Sequence, residues 1–108
     1  MTKKLVTIII PAYNEEDVLP ILFSRLDRFA QENSTYLYEF LFVNDGSRDR
    51  TLEMIQEQAK TDKRVSYVNF SRNFGKETAM LAGFDYAKGD AVVNIDADLQ
   101  DPPELITE

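Results

Sequence analysis

Leu5-Val6-Thr7-Ile8-Ile9-Ile10-Pro11 is followed by Val18, Leu19, Leu22, Leu26, Phe29 and Ala30. The first stretch is a β-branched run that reads as a buried strand stopped by Pro11, and the second switches to helical period. Asp17 is placed to N-cap a helix from about Asp17 to Glu32. Pro20 then falls in its first turn, where a missing N–H does no harm. The pattern repeats, with a strand at Glu39 to Val43, a helix from about Asp49 to Lys60 with Leu52, Ile55 and Ala59 inward, and a strand at Val65 to Phe70. A third helix is expected over Lys76 to Lys88, with Ala79, Met80, Gly83, Phe84 and Ala87 on one face, Lys88 in the last turn and Gly89 as the stop. Ala91 to Ile95 supplies a fourth strand. Such alternation of strands and helices predicts a doubly wound α/β fold, a mostly parallel sheet with right-handed crossovers and helices on both faces.

Composition narrows the chemistry. A chain of 108 residues, 44% hydrophobic and 29% charged, suits one globular domain over 1–108. No apolar run approaches the roughly 20 residues needed to span a bilayer. The basic, apolar N-terminus lacks a small-residue cleavage site, because Pro11, Tyr13, Asn14 and Glu15 stand in its place, so export is not expected. The sequence contains no cysteine and no histidine. Chemistry must therefore rest on carboxylates, amides, hydroxyls and bound ions. A net charge of −7 argues against a nucleic-acid partner and requires a cation or local donors wherever a diphosphate is held.

In a doubly wound sheet, ligands bind beyond the carboxyl ends of the strands. Four polar clusters fall there: Pro11 to Glu15, Asn44-Asp45-Gly46-Ser47, Ser71-Arg72-Asn73-Phe74-Gly75-Lys76 and Asp96-Ala97-Asp98-Leu99-Gln100-Asp101. Asp96 and Asp98, two apart in a turn, can direct oxygen ligands to one hard cation such as Mg²⁺ or Mn²⁺, or can simply be surface-turn residues. Asp45 could meet a nucleobase edge, or its turn could serve only to let Ser47 or Asp49 cap the second helix. Tyr13 suits stacking on a base or half-buried packing. Arg72 and Lys76 are the best candidates to meet phosphate, against the common case of solvated surface cations. Glu77 has an ordinary role as a first-turn carboxylate.

Taken in this order, the clusters closely resemble glycosyltransferase family 2, inverting enzymes of the GT-A fold, from Val6 to Glu104. The string from Ser71 to Glu77, with Asp96-Ala97-Asp98-Leu99-Gln100-Asp101-Pro102-Pro103-Glu104, looks like the branch that transfers sugars to polyprenyl phosphates. Dolichol-phosphate mannose synthases and undecaprenyl-phosphate glucosyltransferases belong to that branch. The resemblance implies that Pro11, Tyr13 and Glu15 shape the nucleotide pocket and that Asp45 reads the base. It further implies that Asp96 contacts ribose or metal, that Asp98 ligates the Mg²⁺ or Mn²⁺, and that Gln100 acts near the donor sugar or acceptor. Asn44 stands where a second aspartate is commoner.

The implied partners are a UDP- or GDP-sugar donor and a lipid phosphate acceptor, at the cytoplasmic face of the membrane in a longer protein with membrane helices after the catalytic domain. Within that family, a polysaccharide or another acceptor is the alternative. Pro102-Pro103-Glu104 reads as the start of another helix, so the chain is expected to be the N-terminal nucleotide-binding half of the fold, soluble by itself and unable to turn over alone. Homo-oligomer formation is left open. A Rossmann dinucleotide module is disfavoured because no Gly-x-Gly-x-x-Gly follows the first strand, and a P-loop is absent. A haloacid-dehalogenase-type phosphatase would carry its Asp-x-Asp at the first strand. A receiver-like, Mg²⁺-binding module would need an acidic pair and a phosphorylatable Asp where this chain has Asn14-Glu15 and Ser71.

Overall fold

A computed structural model describes residues 3–95. The Asp96-Ala97-Asp98 turn, Gln100 and the rest of the chain to Glu108 lie outside the described residues. The elements are β1 (Leu5–Ala12), α1 (Leu19–Glu32), β2 (Leu37–Asp45), α2 (Thr51–Thr61), β3 (Val65–Phe70), α3 (Lys76–Tyr86) and β4 (Ala91–Asn94). All four strands are parallel, in the order β3-β2-β1-β4. The chain steps from β1 through β2 to β3 in one direction, then crosses back over the sheet to place β4 on the far side of β1. Right-handed crossovers therefore require α1 and α2 on one face and α3 on the other. The packing is so divided. Val6, Ile8, Ile10, Phe40 and Phe42 meet Leu19, Leu22, Leu26 and Phe29 of α1 and Ile55 of α2, whereas Ile9, Leu41 and Val43 meet Ala79 of α3. The doubly wound expectation holds, and the strand order reverses between β1 and β4.

β1 runs through Pro11 rather than stopping there. The carbonyls of Leu5 and Ile9 accept from the N–H groups of Asp90 and Ile95, so odd-numbered residues of β1 turn their backbone groups toward β4. Pro11 shares that phase but lies past Ile9↔Asn94, the last register pair of β1 with β4, while pairing with β2 continues through Ala12↔Asn44. β2 is also longer than the hydrophobic run suggests, from Leu37 to Asp45, because pairing with β1 and β3 carries its polar ends.

α1 begins at Leu19, not at Asp17, and no side chain caps it. The carbonyl of Glu15 takes the N–H groups of Val18 and Leu19 instead, each at 3.0 Å. Pro20 lies in the first turn as expected. α2 starts at Thr51, with Asp49 Oδ1 accepting the Thr51 N–H at 2.9 Å. Leu52 and Ala59 are only partly buried.

The third helix departs most from expectation. It ends at Tyr86, and only Ala79 and Gly83 are buried; Phe84 is 47% exposed. α3 is apolar around much of its circumference, so periodicity could not select its inward face. Small residues select it instead, by letting the helix backbone approach β1 and β2 closely. Lys88 and Gly89 leave the helix, and their N–H groups donate to Glu39 Oε1 and Thr7 Oγ1 at 3.2 and 2.8 Å. Thr7 Oγ1 donates in turn to Glu39 Oε1 at 2.8 Å, and Ser66 Oγ donates to Glu39 Oε2 at 3.3 Å. This clasp at the amino ends of the strands fixes the entry of β4 into the sheet. On the opposite face Arg64, seated 5.2 Å above the Phe40 ring, pairs with Asp27 and Asp62 at 2.9 and 2.7 Å.

A Cβ added at Gly83 would lie 2.5 Å from Ile9 Cγ2, and Ile9 is fully buried between β2 and β4. Overpacking costs about 1–3 kcal/mol, against a helix-propensity gain of about 1 kcal/mol for replacing glycine. Gly83→Ala is therefore expected to lower stability, by about 1–2 kcal/mol in urea unfolding; a more stable variant would show that α3 is not held this close to the sheet.

Candidate functional site at the carboxyl ends of the strands

The loops after β1, β2 and β3 meet on one rim, and the contacts that hold them are mostly side chains satisfying backbone N–H groups. After β1 the chain turns at Asn14, which adopts φ +53°; Asn tolerates this left-handed conformation better than most residues. The next N–H groups are then taken by the loop after β2. Asn14 N–H donates to Ser47 Oγ at 3.0 Å, Glu15 N–H to Thr51 Oγ1 at 2.7 Å, and Glu16 N–H to Asp49 Oδ2 at 3.2 Å. Asn14 returns one bond, accepting the Arg48 N–H at 2.8 Å. Neither proposed cap occupies the N-cap of the second helix, which is Arg50 with no side-chain cap bond; Asp49, one position earlier, accepts the Thr51 N–H, and Ser47 ties the first loop down.

Asn44 sits beneath this junction, 1% exposed. Its Nδ2 donates to Asn69 Oδ1 at 2.8 Å, and its Oδ1 accepts from Ser47. An amide can do both, which gives the departure from aspartate at position 44 a structural use: it joins the ends of β2 and β3 to the first loop.

Asp45, 3% exposed, points to the other face of the sheet and grips the third loop. Its Oδ1 accepts the Phe74 N–H at 2.7 Å, and its Oδ2 accepts the Gly75 N–H at 2.9 Å and Asn73 Nδ2 at 3.2 Å. Two glycines permit this. Gly46 has φ +72°, and a Cβ there would lie 2.2 Å from the carbonyl carbon of Arg72. Gly75 has φ +101° and turns the chain into α3. Phe74 packs edge-on against Phe70 with ring centroids 5.3 Å apart, and the Arg72 guanidinium lies 4.7 Å from the centre of the Phe74 ring.

The rim thus gathers Pro11, partly buried at the end of β1, Tyr13, 42% exposed, partly buried Glu15, Asp45, and exposed Arg72 and Lys76. Asp96, Asp98 and Gln100 lie outside the described residues, but Ile95, directly before them, is bonded to Ile9 at the carboxyl end of β4. The described residues contain no group of three or more carboxylates that could hold a metal ion. Ser47, Asp49, Thr51, Asn69 and Asn73 hold the rim together and were not singled out as a network from the sequence. Gly46 directly after a strand-end aspartate was the available signal for the close approach of the third loop.

Residues 7–108 match the glycosyl transferase family 2 domain. The chain belongs to glycosyl transferase family 2. It is 52% identical over 102 residues to an uncharacterized glycosyltransferase, YkcC, of Bacillus subtilis, covering 94% of this chain and 31% of that protein. It is 46% identical over 101 residues to the bactoprenol glucosyl transferase of Shigella phage SfV, covering 94% of this chain and 33% of that protein. The chain therefore spans about a third of the length of these relatives. Among solved structures it resembles a Pyrobaculum calidifontis mannosyltransferase in complex with GDP-Man and Mn²⁺, with a TM-score of 0.76 at 25% identity over 91% of this chain and 28% of that one. The four-stranded parallel sheet with its helices is the α/β fold of these GT-A glycosyltransferase neighbours. No helix among the described residues is long and apolar enough to cross a membrane.

Two predictions follow from the rim's bonding. Burial pushes the Asp49 carboxyl up, but the Thr51 hydroxyl and the backbone N–H groups of Thr51 and Glu16 outweigh it and hold its pKa below the usual 3.8. Arg64 likewise lowers Asp62 against the effect of burial. A carboxylate with a lowered folded pKa stabilises the fold fully above its unfolded pKa. That stability is lost as pH falls from about 3.8 through the folded value. Unfolding midpoints are expected to drop below about pH 4 less steeply in Asp49→Asn than in the parent chain. Gly46→Ala, which forces a Cβ into the Arg72–Asn73 backbone at positive φ, is expected to cost more than about 2 kcal/mol and to speed amide exchange at Phe74 and Gly75; unchanged exchange would show that the loops do not approach this closely.

Proposed function

We propose that the protein to which this chain belongs transfers a sugar, with inversion, from a nucleoside diphosphate sugar to a polyprenyl phosphate, and that residues 11–76 form the donor side of its site. The observation that carries this reading is the gathering of the strand-end loops at one rim in a chain 46% identical to a bactoprenol glucosyl transferase. Pro11, Tyr13 and Glu15 shape the nucleotide pocket, with Tyr13 exposed enough to stack on a base, and Asp45 reads the base. Arg72 and Lys76 approach the diphosphate, supplying local positive charge in an acidic chain.

Asp96 and Asp98 are the residues that would hold a divalent cation, Mg²⁺ or Mn²⁺; the hard oxygen donors of two carboxylates suit such an ion. When bound, that ion offsets the charge of the diphosphate and of the departing nucleoside diphosphate. In the displacement, an acceptor phosphate oxygen forms a bond to the anomeric carbon as the bond from that carbon to the diphosphate oxygen breaks, the electron pair leaving with the nucleotide. An ionised phosphate nucleophile requires no strong general base. Gln100 is assigned to the sugar or acceptor side. The acceptor places the reaction at the cytoplasmic face of a membrane.

Titration of the full-length protein with UDP and with GDP in the presence of Mn²⁺ tests the donor site. One of the two is expected to bind, and Asp98→Ala to weaken it by more than about tenfold. Binding that is unchanged in Asp98→Ala would refute the assigned metal role. Transfer is checked by radiolabelled sugar appearing on polyprenyl phosphate; label on a saccharide instead would correct the acceptor, and hydrolysis of a phosphomonoester would overturn the transferase reading.

A further inference from the structure

We infer that Asn94 is a positioning residue for the metal turn: its buried amide oxygen takes the backbone N–H of Asp96 and so sets how the Asp96 and Asp98 carboxylates meet the cation. This rests on the donor-site reading above and adds to it a residue that touches neither nucleotide nor ion. Asn94 is the last residue of β4, and its register partner on β1 is Ile9. Ile9 is fully buried and packs with Leu41, Val43 and Ala79 on the α3 face. Val92, two residues before Asn94, packs into the same cluster, whereas Val93 and Ile95 belong to the cluster on the other face. An amide therefore stands on the α3 face, where its neighbours in the strand and across the sheet are aliphatic.

Asn94 Oδ1 is buried and accepts no hydrogen bond among the described residues, and no other buried side-chain nitrogen or oxygen there lacks a partner. An acceptor taken out of water without a donor forfeits its hydration. A valine here would continue the Val92-Val93 run without that loss. Asparagine side chains accept the N–H of the residue two positions on, and two on from Asn94 is Asp96. Ile95, between them, is anchored: its N–H donates to the Ile9 carbonyl at 3.1 Å and its side chain is buried. That anchor fixes where the chain leaves the sheet, and the Asn94 bond fixes the direction it takes. Because Oδ1 is buried, it acts through the backbone of the turn. A cation that demands near-ideal geometry gains from ligands whose backbone is already oriented.

The test compares Asn94→Val and Asn94→Thr with the parent in the full-length protein. It reads the Mn²⁺ dependence of UDP or GDP binding, amide exchange at Asp96 with Mn²⁺ saturating, and urea unfolding. Valine and threonine have nearly the same shape, but threonine keeps an oxygen that accepts from the residue two on, more weakly than asparagine. Asn94→Val is expected to need about tenfold more Mn²⁺ for half-saturation and to exchange faster at Asp96, with an unfolding midpoint no lower than the parent's. Asn94→Thr is expected to fall between, at about threefold. Unchanged Mn²⁺ dependence in Asn94→Val, weaker dependence without faster exchange at Asp96, or a threonine variant no better than valine overturns the inference. So does a lower midpoint or loss of folding in Asn94→Val, which would place the partner of Oδ1 inside the α3 face. If the parent binds neither nucleotide, the donor-site reading fails and this inference with it, whereas parent binding with equal Mn²⁺ dependence in all three proteins removes the inference alone.

Discussion

Where parallel strands end, the chain must turn while its backbone N–H groups lose their ladder partners, and a buried donor left unpaired costs about as much as a hydrogen bond is worth. In this protein the turn after β2 supplies most of the replacements. Ser47, Asp49 and Thr51 take successive N–H groups of the first loop, and Asp45 takes those of the third. The second strand is central in the sense that matters here: it lies between β1 and β3, so its terminal turn alone can reach both neighbouring loops. A rim built this way is rigid because each loop is held by the side chains of another.

The alternation of β2 divides these duties. Asn44 points to the face of α1 and α2 and joins Ser47 to Asn69, whereas Asp45 points to the face of α3 and holds the approach to that helix. A neutral amide suits the first position, where one group must both donate and accept. A carboxylate suits the second, where every neighbour donates. The exchange of a commoner aspartate for Asn44 therefore leaves the chain with one charge at this junction, buried and matched by donors.

At the opposite end of the sheet, Glu39 plays a comparable part for the return of the chain into β4, accepting from Thr7, Ser66 and the Lys88 N–H. Both ends thus use carboxylates of β2 on the α3 face, two strand positions of equal phase. Between them α3 is brought down by Ala79 and Gly83 rather than by large apolar side chains, and Leu81, Phe84 and Tyr86 remain exposed.

Fold class, element order and the location of the polar clusters were determined by the sequence, because hydrophobic period and strand-stopping residues are local properties. Val6 to Ile10 and the Leu19, Leu22, Leu26, Phe29 stripe declare a strand and a helix without reference to anything distant, and right-handed crossovers then restrict how they assemble. The family was legible in the joint order of its motifs for the same reason. What the tertiary structure alone decided depends on partners far along the chain. Pro11 stays in β1 because pairing with β2 continues past the last register pair with β4, and α3 buries Gly83 instead of Phe84 because contact with Ile9 rewards closeness over apolar area. Asp45 is bonded on both oxygens to a loop 28–30 residues away, a bond that no local pattern encodes.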